Sequence, residues 1–163
     1  GPAGPEVLAR LLDRHGAALE LYARQLCECP EDCVQEALVE LARQPHTPEE
    51  VLPWLYRVTR NKAISASRSA RRRRRREGAV ARRRGTWFAP SPGDSVDAAS
   101  ATAALESLAP DEREVVVAYL WGGLTFKQIG RLRGTSDSTA HRRYEAALAS
   151  LREKLGVSCP RSR

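Results

Sequence analysis

Apolar side chains recur along residues 6–26 at Leu8, Leu11, Leu12, Leu19, Tyr22 and Leu26, with His15 on the same stripe. Steps of three and four residues put one face of a helix inward. Pro30 opens a second helix, where a missing N–H costs nothing, and Glu31 and Asp32 follow in the first turn, where acids suit the positive end of the dipole. Val34, Ala37, Leu38 and Leu41 form its inner face and leave Asp32, Gln35, Glu36 and Glu40 outside, an acidic surface suited to a basic partner. QPHTPEE, with two prolines, is a loop, and Thr47 or Pro48 is expected to start the next helix. Leu52, Leu55, Val58 or Thr59, and Ala63 point inward along it. Arg57, Arg60, Asn61 and Lys62 gather opposite, and the helix is expected to run through Arg68 into the arginines at 71–76.

Periodicity is lost over residues 78–100, where Gly78, Gly85, Pro90, Pro92 and Gly93 punctuate alanines and serines. The expectation is a flexible linker between a first module at 6–77 and a second at 101–156, with a tail at 157–163. Extended, about 20 such residues span several nanometres. In the second module Pro110, Asp111, Glu112 and Glu114 mark a helix start, and the apolar run from Val115 through Trp121 stops at Gly122-Gly123. Thr125-Phe126-Lys127-Gln128 reads as a capping box opening a short helix that carries Phe126, Ile129 and Leu132 inward and ends at Gly134. Ser136 is the expected N-cap of a longer helix buried through Ala140, Tyr144, Ala147, Leu148, Leu151 and Leu155. Ser138, Thr139, His141, Arg142 and Arg143 stay on or beside its exposed face. A short helix, a Gly-containing turn and a second helix with small polar and basic groups near its start fit a DNA major groove.

Strand signals are nearly absent, so the fold class is all-α: two small helical domains joined by a flexible linker. With 163 residues and 42% hydrophobic content, each can bury a modest core. No apolar run reaches membrane-spanning length and no signal segment opens the chain, so a soluble cytoplasmic protein is expected. The Gly1-Pro2 start, in place of methionine, reads as the remnant of a proteolytic cut and is set aside.

Charge sharpens the picture. The net +7 is concentrated: residues 68–84 hold ten arginines against one acid, residues 111–163 ten basic groups against six acidic, and residues 1–67 are net acidic. Basic charge in one block plus the helix-turn-helix points to a polyanion such as nucleic acid, and arginine suits phosphate forks.

Cys27, Cys29 and Cys33 form C-x-C-x3-C, with Cys159 distant. A structural zinc site wants four ligands and no histidine lies close in sequence, so reduced, partly buried thiols are expected, with no metal and no cofactor. The histidines are scattered and neither a Gly-rich phosphate loop nor a nucleophile motif occurs, so no catalytic residues are expected and the chain is read as a non-enzyme.

Four stretches resemble bacterial RNA polymerase sigma factors of the small, two-domain extracytoplasmic-function group. Pro30-Glu31-Asp32-Cys33-Val34-Gln35-Glu36-Ala37 is similar to the D-x-V-Q-E segment of region 2, and Trp54-Leu55-Tyr56-Arg57-Val58-Thr59-Arg60-Asn61 to its W-L-x-x-I-A-x-N segment. Leu124-Thr125-Phe126-Lys127-Gln128-Ile129-Gly130 and Ser138-Thr139-Ala140-His141-Arg142-Arg143 resemble the two region 4 helices. The resemblance implies core-polymerase binding by Asp32, Gln35, Glu36 and Glu40. It implies −10 DNA binding by His46 in the 45–50 loop, Trp54, Arg57, Arg60, Asn61, Lys62, Arg68 and Arg71, with Tyr56 a second nearby aromatic, and −35 DNA binding by Ser136, Asp137, Ser138, Thr139, His141, Arg142 and Arg143. The partners implied are the clamp and flap of core polymerase and promoter DNA, with an anti-sigma factor as a further candidate. The chain departs from the family at Ser138, where Gly is usual, and in the loop before Trp54, which holds two prolines and no aromatic.

A self-sufficient dimeric helix-turn-helix regulator is the alternative reading, distinguished by operator binding without polymerase. A basic RNA-binding protein would leave the capped helix-turn-helix unexplained.

Overall fold

The computed structural model describes residues 1–78, 87–88 and 98–156. Among the described residues the chain is all helix: α1 (Pro5–Arg24), α2 (Pro30–Arg43), α3 (Val51–Glu77), α4 (Ala98–Glu106), α5 (Pro110–Leu120), α6 (Phe126–Arg133) and α7 (Asp137–Lys154). Helices α1, α2 and α3 pack on one another, while α5 and α6 pack on α7, with α4 against it. The two groups also touch directly, α1 on α5 and α3 on α6.

Boundary chemistry accounts for most helix ends. Prolines stand in the first turns of α1, α2 and α5. Helix α3 starts at Val51 and not at Thr47 or Pro48. Residues 44–50 stay outside the helix, with Glu50 as its N-cap, and the Thr47 N–H and hydroxyl donate to the Gly1 carbonyl at 3.0 and 3.1 Å. Its far end runs through the arginines to Glu77, closed by Gly78 at φ 61°. At 1.5 Å per residue this single helix is about 40 Å long.

Several apolar positions differ from the periodic expectation. Leu11 and Leu12 are adjacent and cannot both face inward; Leu12 is 45% exposed and lies along its own helix over Gly16. Leu155, which follows the last turn of α7, is also exposed, as are Leu120 and Trp121 at the end of α5. Conversely Leu21 and Ala23 are buried, because the C-terminal half of α1 is enclosed by α2 and α3 on one side and α5 on another. Parts of the expected 78–100 linker are packed. Trp87 is buried and its N–H donates to Thr102 Oγ1 at 3.1 Å, while the Phe88 ring lies 5.7 Å from that of Trp121. Helix α4 begins at Ala98, inside that stretch. The remaining linker positions and the tail beyond residue 156, with Cys159, lie outside the described residues.

One continuous apolar cluster runs through both groups of helices, from Leu19, Tyr22, Val34 and Leu55 to Val115, Val116, Leu124 and Ile129. At its centre the Tyr22 and Tyr56 rings meet edge to face at 5.1 Å. The Tyr56 hydroxyl is buried and has no hydrogen-bond partner among the described residues. It abuts Gly122, where an added Cβ would sit 2.7 Å from that oxygen and 2.5 Å from the Ala118 carbonyl.

Gly122→Ala is therefore expected to destabilise the chain by roughly 1–3 kcal/mol, the usual cost of overpacking. Tyr56→Phe removes one of the three obstructing atoms and leaves the ring carbon Cζ, 2.9 Å from that Cβ, so the double variant should regain part of the loss in urea unfolding. Additive effects would place the clash with the Ala118 backbone alone.

Candidate nucleic-acid and partner surfaces

The helix-turn-helix is built from local hydrogen bonds. Thr125 Oγ1 accepts from the Gln128 N–H at 3.1 Å and the Gln128 side chain accepts from the Thr125 N–H at 2.9 Å, so both halves of the capping box are made. Such a cap is worth about 1 kcal/mol. Ser136 Oγ accepts from the Thr139 N–H at 3.1 Å and caps α7. Gly130 allows the turn to close: a Cβ there would lie 2.8 Å from the Thr135 carbonyl. Behind the helices, Tyr119 stacks on Phe126 at 4.4 Å and Tyr144 lies tilted against both.

The first turns of α7 are left facing outward. Ser136, Asp137, Ser138, His141 and Arg142 are exposed, and Thr139 and Arg143 half-buried. Arg142 donates to Thr139 Oγ1 at 3.3 Å, His141 sits 3.5 Å from Glu145, and Arg143 lies 4.0 Å from Asp111. All seven positions expected to read DNA thus occupy one end of one helix.

On α2, Asp32, Gln35 and Glu36 are exposed and Glu40 half-exposed, arranged around an exposed Val39. With Arg43 and Lys62 they line an open groove of about 570 Å³. Lys62 pairs with Glu40 at 3.1 Å, so the acidic and basic faces meet at that edge. Along α3, Arg57, Asn61, Arg68 and Arg71 are exposed, and His46 is exposed in the preceding loop. Trp54 is half-buried and shares a cleft of about 610 Å³ with Pro48, Arg57, Gln128 and Arg131. Tyr56 is fully buried, which removes it as a stacking surface for a base.

Arg60 is placed differently from its neighbours. Its Nε donates to Glu114 Oε1 at 2.7 Å, and the Tyr22 hydroxyl donates to the same oxygen at 2.6 Å. Arg133 Nη1 lies 3.4 Å from Glu114 Oε2, and its Nη2 donates to Asp111 Oδ1 at 2.6 Å. The Glu114 side chain is 5% exposed. One carboxylate on α5 therefore receives groups from α1, α3 and α6. Burial and the adjacent Glu114 charge push the Tyr22 hydroxyl far up, so it donates at every physiological pH. Burial would lower the Arg60 pKa, but Glu114 outweighs it and the guanidinium stays charged. Hydrogen bonding from Arg133 holds the Asp111 carboxyl below the usual range. The sequence offered Glu114 only as a first-turn acid, and no local signal distinguishes it from Glu112.

Comparison with known families decides what these surfaces belong to. Residues 11–73 match the family profile of Sigma-70 region 2, and residues 104–153 that of Sigma-70, region 4. The sigma factor CarQ of Myxococcus xanthus is 34% identical over 135 residues, covering 77% of this chain and 74% of CarQ. The chain belongs to the sigma-70 family. The two regions follow one another in this chain, and among the described residues both are helical. The probable RNA polymerase sigma factor RfaY of Xanthomonas campestris pv. campestris is also 34% identical, over 134 residues, but the match spans about a third (34%) of that longer protein.

Two solved structures share the sigma fold. The Bartonella quintana sigma factor RpoE, solved with the anti-sigma factor NepR, superposes with TM-score 0.72 at 23% identity over 96% of this chain and 100% of that one. CnrH, solved with the cytosolic domain of CnrY, gives 0.61 at 22% identity over 96% and 92%. Region 2 here comprises α1–α3 and region 4 principally α5–α7, so Glu114 belongs to region 4 while Tyr22 and Arg60 belong to region 2.

Glu114→Ala leaves the guanidinium of Arg60 and the hydroxyl of Tyr22 without their shared acceptor, and removing one partner of a buried ion pair costs roughly 3–5 kcal/mol. The expected outcome is a lower urea midpoint together with a larger radius of gyration in X-ray scattering, as regions 2 and 4 part. A variant with the wild-type midpoint and scattering profile would remove the carboxylate from its role as the joint.

Proposed function

We propose that this chain is a promoter-specificity subunit of RNA polymerase: it docks on core enzyme, directs it to −35 and −10 elements and assists strand opening at the −10 element. The observation that carries the reading is the outward-facing first turns of α7, held on a capped scaffold, in the same chain as an acidic α2 face and a long basic α3. Small hydroxyls and a guanidinium at a helix start can enter a major groove, with the positive end of the helix dipole toward the phosphates. Ser136, Asp137, Ser138, Thr139, His141, Arg142 and Arg143 are assigned to the −35 element. Asp32, Gln35, Glu36 and Glu40, around Val39, are assigned to the polymerase clamp.

Arg57, Asn61, Arg68 and Arg71 are assigned to the −10 region, with Trp54 at the rim of the cleft and His46 in the loop before it. Lys62 joins this surface when it leaves Glu40 of its own region, and Arg60 only when it leaves Glu114 of region 4, so promoter engagement by Arg60 competes with the packed arrangement of the two regions. An anti-sigma protein is a further partner, supported by the fold shared with RpoE and CnrH, both solved with such partners or with a partner's cytosolic domain. The function is non-enzymatic and exercised where polymerase is, in the cytoplasm. Among the described residues no helix is long and apolar enough to cross a membrane. A dimeric self-sufficient regulator has no use for the acidic α2 face and is not favoured.

Asp32→Ala with Glu36→Ala is expected to weaken association with core polymerase at least tenfold while leaving the helical content unchanged; undiminished association would move the docking face off α2. Arg142→Ala and Arg143→Ala should each reduce −35-dependent initiation, and each lost phosphate contact should lower the slope of log affinity against log salt by about one. Unaltered slopes in both variants would place the phosphate contacts elsewhere.

A further inference from the structure

Outside these surfaces, the α1–α2 connection gathers three sulfur atoms. Cys27 lies just beyond α1, Cys29 immediately precedes α2, and Cys33 is in the first turn of α2. All three Sγ atoms lie within 4.8 Å of one another, and those of Cys27 and Cys33 are 3.7 Å apart. A cation bound tetrahedrally by thiolates at about 2.3 Å sets its sulfurs roughly 3.8 Å apart. The Cys27–Cys33 edge already has that length, and Cys29 needs to shift by about an ångström at most to complete a triangle of the same size.

Backbone bonds hold the loop in place. The Cys27 N–H donates to the Ala23 carbonyl at 3.0 Å and the Cys33 N–H to the Cys29 carbonyl at 3.3 Å. Cys27 and Cys33 are buried in a cluster with Ala23 and Ala63, while Cys29 is half-exposed and gives a path from solvent. The α2 N-terminus adds its positive dipole end to a group that becomes anionic on ligation.

We infer that Cys27, Cys29 and Cys33 form a three-thiolate site for a soft or borderline d10 cation, with zinc(II) as occupant and its fourth position open on the Cys29 side. An all-sulfur donor set selects such ions over magnesium or calcium. Ligation releases the three thiol protons to solvent and changes no oxidation state. A disulfide would employ two of the three sulfurs and leave the third idle, whereas a cation employs all of them. Three protein ligands and an open position describe an exchangeable site and not a closed structural one.

The loop also touches the basic helix, since Glu28, between two of the ligands, forms an ion pair with Arg74 of α3. Fixing the loop on a metal therefore fixes the partner of an arginine in the nucleic-acid-binding block.

The test uses the full chain, reduced and stripped of metal, titrated with zinc(II) against a chromophoric chelator, and with cobalt(II) for its thiolate charge-transfer absorption. The expected result is one equivalent per chain, a tetrahedral cobalt spectrum, and protection of three of the four cysteines from a thiol reagent. Cys29→Ser, at the half-exposed position, should keep its helical circular dichroism and lose at least tenfold in zinc affinity, while Cys159→Ser should bind as the parent does. Absence of stoichiometric binding would overturn the proposal, as would binding indifferent to Cys29→Ser. Rapid formation of a Cys27–Cys33 disulfide in a chain that takes up no zinc would overturn it in favour of a thiol redox pair.

Discussion

A single carboxylate, that of Glu114, holds regions 2 and 4 in their present relation. Two guanidiniums and a phenol converge on it from three other helices, and none of the four can move without disturbing the rest. Buried ion pairs contribute little net stability over apolar packing, because desolvation nearly cancels the attraction. Their distinctive property is geometric: a wrongly docked region 4 would strand a charge away from water. The surrounding contact between Tyr56 and Gly122 adds shape to that charge requirement, since any side chain at 122 would collide. The two regions therefore fit in one register and poorly in others.

The same arrangement makes the joint reversible. Once the regions are apart, Arg60 can be hydrated and Glu114 keeps Arg133 of its own region, so separation does not leave unpaired charges in an apolar setting. An anionic ligand can take the place of Glu114 beside Arg60, and phosphate is such a ligand. The long α3 helix supplies more cations of the same kind, with Arg57, Arg68, Arg71, Arg72, Arg73, Arg75 and Arg76 exposed. If nucleic acid binds this face, as proposed, Arg60 is the arginine withheld until the regions separate.

Features set by neighbours in the chain were legible in the sequence. Thr125 with Gln128, the Ser136 cap, Pro30 and Pro110 at helix starts and the all-α class all depend on spacings of a few residues, and the described residues contain each. The outward residues of α2 and of the start of α7 follow from the same periodicity. What spacing does not encode is partnership over long separations. Glu114 looks like an ordinary first-turn acid until Tyr22, 92 residues away, is brought beside it. Tyr56 seemed available to a nucleotide because its burial depends on region 4 closing over it. Leu12 lost its place inside because Leu11, next to it, took the inward direction. Helix α4 and Trp87 escaped notice for another reason: an alanine-rich segment has almost no amphipathic contrast, and a lone aromatic in a Gly/Pro-rich stretch gives no period to count.

The cysteines show how counting and geometry differ. In the linear chain, C-x-C-x3-C offers three ligands where a structural zinc site uses four, and that arithmetic argued for plain thiols. A turn between two helices changes the question from how many ligands there are to where they point. Cys29 and Cys33 are one helical turn apart, and the end of α1 folds back to set Cys27 beside them, so the sulfurs converge although the residues alternate with others. Repulsion explains why such convergence is uncommon without purpose. Burial pushes the Cys27 and Cys33 thiols up, and for Cys33 the neighbouring thiols add to it. Around the loop Arg24 pairs with Glu31 and Arg74 with Glu28. Of the three acids between Cys27 and Cys33, Glu28 grips the helix that carries the arginine block.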